Sequence, residues 1–141
     1  MSFGGLNQLA VVLAAVASFL FGGIWYGIFS SQWLAAASIK SEEIQGVKGG
    51  GAIYPYVVAF LAQLVMALVL AGLIGHLGQG QVTLRNGIIS GAIVWAGFVM
   101  TSMLVNHSFQ GAKRALTMID GGHWLGVLLI QGVIIGWFGF P

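Results

Sequence analysis

The sequence contains no cysteine and very few charged side chains. The missing cysteines exclude disulfide bonds, thiolate metal sites and thiol nucleophiles. Charged residues make up 6% of the 141-residue chain, against roughly 25% in an ordinary soluble domain. A soluble fold with so few charges would expose large apolar patches and would aggregate. The scarcity of charge therefore indicates a protein that lies in a lipid bilayer.

Four long stretches contain no Asp, Glu, Lys or Arg. They cover Leu9–Phe29, Tyr56–Ile74, Gly87–Val105 and Trp124–Phe140. Because a helix rises about 1.5 Å per residue, roughly 20 residues cross a hydrocarbon core about 30 Å thick. Lipid also requires each spanning segment to satisfy its own backbone hydrogen bonds, which favours helices. We therefore expect an all-α, four-helix transmembrane bundle that forms a single domain.

The distribution of basic residues predicts the orientation of these spans. With four spans, both termini lie on one side of the membrane and the first and third loops lie on the other. Those two loops contain Lys40, Lys48, Lys113 and Arg114, whereas the second loop and the termini contain only Arg85. The positive-inside rule then places loops 1 and 3 in the cytoplasm and both termini outside. We expect a multi-pass protein of the bacterial inner (plasma) membrane whose first span is retained rather than cleaved.

Glycines four residues apart recur along the chain. They are Gly23/Gly27, Gly87/Gly91, Gly122/Gly126 and Gly132/Gly136. Small residues at this spacing let another helix backbone approach closely. For any single strip, packing inside the bundle is the favoured explanation. Four strips are more than one small bundle needs, so we also expect a homo-oligomer or a larger membrane complex.

A layer of polar side chains is predicted near the middle of the membrane. Gln63 and Gln131 lie at nearly the same depth, and Ser18 and Trp95 lie near the middle of their own helices. A buried amide needs hydrogen-bond partners, and the indole N–H of Trp95 is a suitable donor to either glutamine. The layer is either a clamp that fixes helix register or part of a solute pathway. The absence of an ionisable residue at the membrane centre favours the clamp.

A second polar group is predicted at the cytoplasmic edge. It consists of Asn106, His107, Asp120 and His123. A short hairpin would bring His107 and His123 together, and Asp120 shares a helix face with His123. These residue types suit divalent-metal binding or proton transfer. The favoured alternative is that Asp120 caps the fourth helix and nearby basic residues contact lipid headgroups. Because no metal-spacing motif is present, we expect neither a metal nor a cofactor.

Short motifs of aromatic residues and glycine are the most distinctive part of the sequence. They are Gly22-Gly23-Ile24-Trp25-Tyr26 with Trp33, Trp95-Ala96-Gly97-Phe98, and the run from Leu116 to His123. Together they resemble a bacterial membrane family named domain of unknown function 1761, and the resemblance covers essentially the whole chain. The resemblance implies a four-helix integral membrane protein and no particular activity. It also implies a specific packing or binding role for Gly22, Trp25, Tyr26 and Trp33.

The sequence has no recognisable catalytic or nucleic-acid-binding motif. It contains no nucleophile elbow, phosphate-binding loop, HExxH motif or basic-aromatic stripe. We therefore expect a non-enzymatic binding or structural protein, surrounded by membrane lipid, that acts as a homo-oligomer or as an accessory subunit. The alternative is a conduit for a neutral or lipid-like solute past Gln63, Gln131 and Trp95. A membrane enzyme that uses His107, Asp120 and His123 ranks last.

Overall fold

The structure is a computed structural model that describes residues 5–38 and 53–139. Within these ranges the chain forms helices and no β-strand. Two of the lysines behind the predicted orientation, Lys40 and Lys48, lie outside the described residues. The helices of the described ranges are α1 (Gln8–Ile28), α2 (Ser30–Ala37), α3 (Tyr54–Gly75), α4 (Leu84–Gln110) and α5 (Arg114–Phe138).

Four of these helices are long and apolar enough to cross a membrane. They are α1, α3, α4 and α5, with 21 to 27 residues and mean hydropathy between 1.5 and 2.7. At about 1.5 Å per residue their lengths are roughly 30–40 Å. The expected all-α architecture with four apolar helices is therefore confirmed. Both α1 and α3 begin and end within two residues of their predicted bounds, whereas α4 continues five residues beyond its predicted end.

The fourth spanning helix begins ten residues earlier than the sequence predicts. It starts at Arg114 rather than at Trp124, so only residues 111–113 separate it from α4. The turn is made by Gly111, whose φ of 65° lies in the left-handed region that favours glycine. The interpretation of Asp120 as the cap of this helix is wrong. Lys113 holds the capping position, and Asp120 lies inside the helix.

Two adjacent glycines explain this error. Aspartate is a favoured N-cap residue and glycine is unfavourable inside a helix, but Gly121 and Gly122 lie inside α5. They are needed for close packing. A Cβ at Gly121 would lie 2.9 Å from the sulfur of Met100, and one at Gly122 would lie 2.8 Å from the Trp25 ring. Tertiary contact therefore overrides the low helix propensity of glycine.

Alanines make up much of the buried face of α1 and α3, beside larger residues such as Leu70 and Ile74, and large apolar side chains cover the outside. The buried alanines of α1 and α3 are Ala10, Ala14, Ala15, Ala67 and Ala71. On the same two helices the exposed large apolar residues include Leu9, Leu20, Ile24, Leu61 and Val65. An apolar exterior around a narrow interior suits a bundle that is surrounded by lipid tails.

Three of the four glycine strips are used inside the bundle. A Cβ at Gly87 or Gly91 of α4 would collide with the α5 backbone at Gly132 or Leu128. Gly136 lies equally close to the backbone at the start of α4, and the α1 rings of Phe21 and Trp25 cover the strip Gly122/Gly126. The remaining strip, Gly23/Gly27, has no described heavy atom of the chain within 4 Å of either ideal Cβ position.

The middle of α4 departs from regular α-helix. Residues Trp95–Met100 form a π-helical segment, and such segments widen a helix locally. The indole N–H of Trp95 donates a hydrogen bond to the carbonyl oxygen of Gly121 at 2.8 Å, which ties this segment to α5. None of the residues of Thr101–Gln110 is buried, although His107 in this final part of α4 contacts α5.

Candidate functional site

The carboxylate of Asp120 lies at the centre of the most polar contact between helices. The hydroxyl of Tyr26 donates a hydrogen bond to Oδ1 at 2.6 Å, and the indole N–H of Trp33 donates to the same oxygen at 3.1 Å. Asp120 follows Arg114 by six residues, so it lies about 9 Å along the membrane-spanning helix α5. Hydrogen bonds to an ionised acceptor are roughly twice as strong as neutral ones. The contact therefore joins α1, α2 and α5.

The break between α1 and α2 places Trp33 beside Tyr26. Phe29 separates the two helices, because its backbone angles, φ −99° and ψ 16°, depart from those of a helix. The rings of Tyr26 and Trp33 then meet edge to face with their centroids 6.1 Å apart. The Lys113 ammonium donates to the carbonyl oxygen of Ala35 at 3.2 Å, which holds α2 against the start of α5. Sequence reasoning missed α2, because its eight residues, Ser30–Ala37, lie between the first two predicted spans, where no helix was expected next to the membrane.

No described basic residue neutralises Asp120. Its polar contacts in residues 5–38 and 53–139 are the two aromatic donors, and the nearby Lys113 ammonium is directed to Ala35 instead. Placing an ionised Asp at the centre of a spanning helix costs about 2.5–3.5 kcal/mol on insertion scales. Asp120 lies nearer the helix end, where this cost is smaller. A nearby cation or a bound proton would reduce the cost further.

His123 lies one turn further along α5 and is enclosed by aromatic rings. Its side chain is 4% exposed, and its ring lies 4.8 Å from that of Tyr26 and 4.6 Å from that of Trp124. Gly22 makes room for it, since a Cβ there would lie 2.8 Å from Nε2. The other ring nitrogen, Nδ1, is buried and has no hydrogen-bond partner.

The structure brings together two groups of residues that the sequence analysis treated separately, the aromatic motif and part of the cytoplasmic-edge group. Trp25 donates its indole N–H to the carbonyl oxygen of Ile119 at 3.0 Å, directly before Asp120. All four residues of the family-like aromatic motif therefore contact the segment 119–123 of α5. We refer to the combined set as the Asp120 cluster, which consists of Gly22, Trp25, Tyr26, Trp33, Asp120 and His123.

The other members of the predicted edge group are not part of this cluster. His107 contacts α5 one turn from its start, where its Nδ1 lies 2.7 Å from the Thr117 hydroxyl. Asn106 is exposed near the end of α4. No described hydrogen bond or ring contact joins His107 to Asp120 or His123, so the hairpin does not form the predicted four-residue group. The described residues also include no group of three or more His, Asp or Glu side chains placed to hold a metal ion.

The polar layer in the membrane interior contains three of its four predicted residues. The Gln131 amide donates to the Ser18 hydroxyl at 3.1 Å and to the backbone carbonyl of Gln63 at 3.0 Å. Gln131 is fully buried and Gln63 is 2% exposed. The Oε1 atoms of both glutamines have no partner. Trp95 does not join them, because its N–H is directed to Gly121.

Four long apolar helices and an apolar exterior define the chain as a multi-pass membrane protein. The sequence model of the family described as "Protein of unknown function (DUF1761)" matches residues 9–136. The chain therefore belongs to this family. No curated protein and no solved structure shows significant similarity to it.

Proposed function

We propose that the protein is an accessory subunit of a larger membrane complex and docks a basic side chain of its partner against the Asp120 cluster. The observation that carries this proposal is the carboxylate of Asp120, held at one oxygen by Tyr26 and Trp33 and paired with no described basic residue. Ionisable residues within spanning segments typically pair with one another or mark a pathway. A Lys or Arg on a neighbouring spanning helix would supply the missing charge.

The outer side of α1 supports the same proposal. Gly23 lies next to Tyr26 on the helix surface, because it precedes Tyr26 by three residues. Gly27 continues the same strip one turn further along α1, four residues after Gly23. No described part of the chain covers these two glycines, whereas each of the other three strips is covered. A partner helix can therefore approach the α1 backbone closely at the level of the carboxylate.

In this proposal the Asp120 cluster binds and does not catalyse. A general base must lie within hydrogen-bonding distance of the group that it deprotonates, and catalytic pairs are normally hydrogen-bonded to each other. Asp120 and His123 share no hydrogen bond, and aromatic rings surround His123. We also propose that loops 1 and 3 face the cytoplasm, because they hold most of the Lys and Arg residues.

The proposal is tested by gentle extraction of the tagged protein from its native membrane, with particle mass and co-purifying proteins measured together. We expect a second protein in fixed stoichiometry. Asp120→Asn keeps an oxygen that can accept from Tyr26 and Trp33 but removes the charge, so it should release this protein. Gly27→Ile should also release it, because the branched side chain blocks close approach.

Gly97→Ile is the matched control. Gly97 also has no described heavy atom within 4 Å of its ideal Cβ, but it lies on α4, away from the Asp120 cluster. This variant should retain the partner. A particle composed only of this chain would refute the accessory role and would favour a homo-oligomer. Full retention of the partner by Asp120→Asn would refute the role of the carboxylate.

A further inference from the structure

The turn between α4 and α5 contains a small cavity that is separate from the Asp120 cluster. Its volume is about 240 Å³. This is below the roughly 300–1,000 Å³ of a site for a drug-sized ligand. The cavity therefore suits a compact chemical group. It is lined by Leu104, His107, Ser108, Ala112, Arg114 and Thr117.

The electrostatics of this cavity favour an anion. Arg114 lines the cavity, and Lys113 immediately precedes Arg114 in the chain. No acidic residue is among the lining side chains. Asp120 is the one acidic residue of the described ranges, and it lies about 9 Å further along α5. Its Oδ1 atom accepts hydrogen bonds from Tyr26 and Trp33, and the carboxylate forms no described ion pair with Arg114. The guanidinium of Arg114 therefore has no described carboxylate partner and presents donors in a geometry that matches phosphate oxygens.

Two of the polar side chains that line the cavity are held by a contact with each other. The 2.7 Å contact between His107 Nδ1 and the Thr117 hydroxyl fixes the imidazole ring. The Thr117 side chain is itself buried, with 8% exposure. Ser108 adds a hydroxyl group, and Leu104 and Ala112 add an apolar wall. This combination suits a charged group attached to an apolar body.

The location of the cavity decides which anion can reach it. It lies between the end of α4 at Gln110 and the start of α5 at Arg114. Because both helices span the membrane, their ends lie at the level of the lipid headgroups. We propose that this cavity binds the phosphate of an anionic phospholipid headgroup, with Arg114 as the charged contact and His107 and Ser108 as hydrogen-bonding contacts. Free inorganic phosphate has the same chemistry and is the other possible source of the ligand.

Native mass spectrometry of the detergent-purified protein tests this proposal. The probes are phosphatidylglycerol and phosphatidylcholine with identical acyl chains. We expect one phosphatidylglycerol to bind more tightly than phosphatidylcholine, and Arg114→Gln to weaken its binding about fivefold, which corresponds to about 1 kcal/mol for one basic residue near the surface. Ser108→Val, which removes the hydroxyl group without changing charge, should weaken the same binding event.

Arg85→Gln is the matched control, because Arg85 lies in the first turn of α4 just as Arg114 lies in the first turn of α5. It should leave the binding of phosphatidylglycerol unchanged. Displacement of the lipid by millimolar inorganic phosphate would assign the site to free phosphate, and persistence of the lipid would assign it to the headgroup. Equal binding of both lipids would overturn the proposal. So would equal weakening by Arg85→Gln and Arg114→Gln.

Discussion

The contact between the α4 and α5 backbones makes the sharpest prediction about stability. At Gly87 a Cβ would overlap the carbonyl oxygen of Gly132, and at Gly132 a Cβ would overlap the carbonyl oxygen of Gly87. Both obstructing atoms belong to the backbone, so a change of side-chain rotamer cannot relieve the overlap. We therefore predict that Gly87→Ala forces the two helices apart.

The size of the effect follows from two opposing contributions. Overpacking of a well-packed interior costs about 1–3 kcal/mol, and a backbone obstruction belongs at the upper end of that range. Alanine is more favourable than glycine in a helix by about 1 kcal/mol. The expected net loss for Gly87→Ala is therefore about 2 kcal/mol of unfolding free energy. Gly23→Ala gains the helix propensity without an overlap, so it should be neutral or stabilising.

Reversible unfolding in mixed micelles, with increasing sodium dodecyl sulfate and helix content followed by circular dichroism, measures this difference. Gly87→Ala should unfold at a clearly lower detergent fraction than the wild type, and Gly23→Ala should not. Equal midpoints for the two variants would show that α4 and α5 do not meet at Gly87 and Gly132. The reasoning about the other buried glycine strips would then fail as well.

Two further predictions concern the polar layer and the orientation. Gln131→Leu removes the hydrogen bonds to Ser18 and to the Gln63 carbonyl and should lower the unfolding free energy by about 1 kcal/mol. Gln63→Leu removes a side chain whose Oε1 is unpartnered and should be nearly neutral in the same assay; equal losses would contradict the described layer. Because the chain has no cysteine, Gln79→Cys and Gln110→Cys each introduce a single label site. A membrane-impermeant maleimide should label Gln79→Cys in intact cells and Gln110→Cys only after the membrane is opened, and the reverse pattern would contradict the orientation.

The spanning helices could be predicted because lipid imposes a simple requirement on sequence. Long uncharged stretches and helical rise were enough to locate α1 and α3 within two residues. The fourth helix was misplaced because a charged residue and two glycines interrupted its apolar run. The interruption has a tertiary cause. Gly121 and Gly122 leave room for the side chains of Met100 and Trp25. Asp120 accepts hydrogen bonds from Tyr26 and Trp33. None of these contacts is visible within a local window of sequence.

The Asp120 cluster shows the same limit. Its residues were all selected from the sequence, but as two separate groups. Tyr26 and Asp120 are separated by 94 positions in the chain, and no local pattern reports a contact at such a distance. One sequence signal did point to a common face, because Gly22, Tyr26 and Trp33 recur at intervals of four and seven residues. The break at Phe29 hid the continuation of that face onto α2.

The central position of α5 has a consequence for the order of assembly in the cell. It packs against α1, α3 and α4, and it follows all of them in the chain, so it is translated after them. Gly87 and Gly91 pack against the α5 backbone, and Tyr26 and Trp33 bond to Asp120 of α5, so none of these contacts can form before α5 is present. The earlier helices can insert but cannot complete the bundle. Insertion of this single helix then allows the backbone contact, the polar layer and the Asp120 cluster to form, so that the last step of membrane integration is also the one that permits final folding.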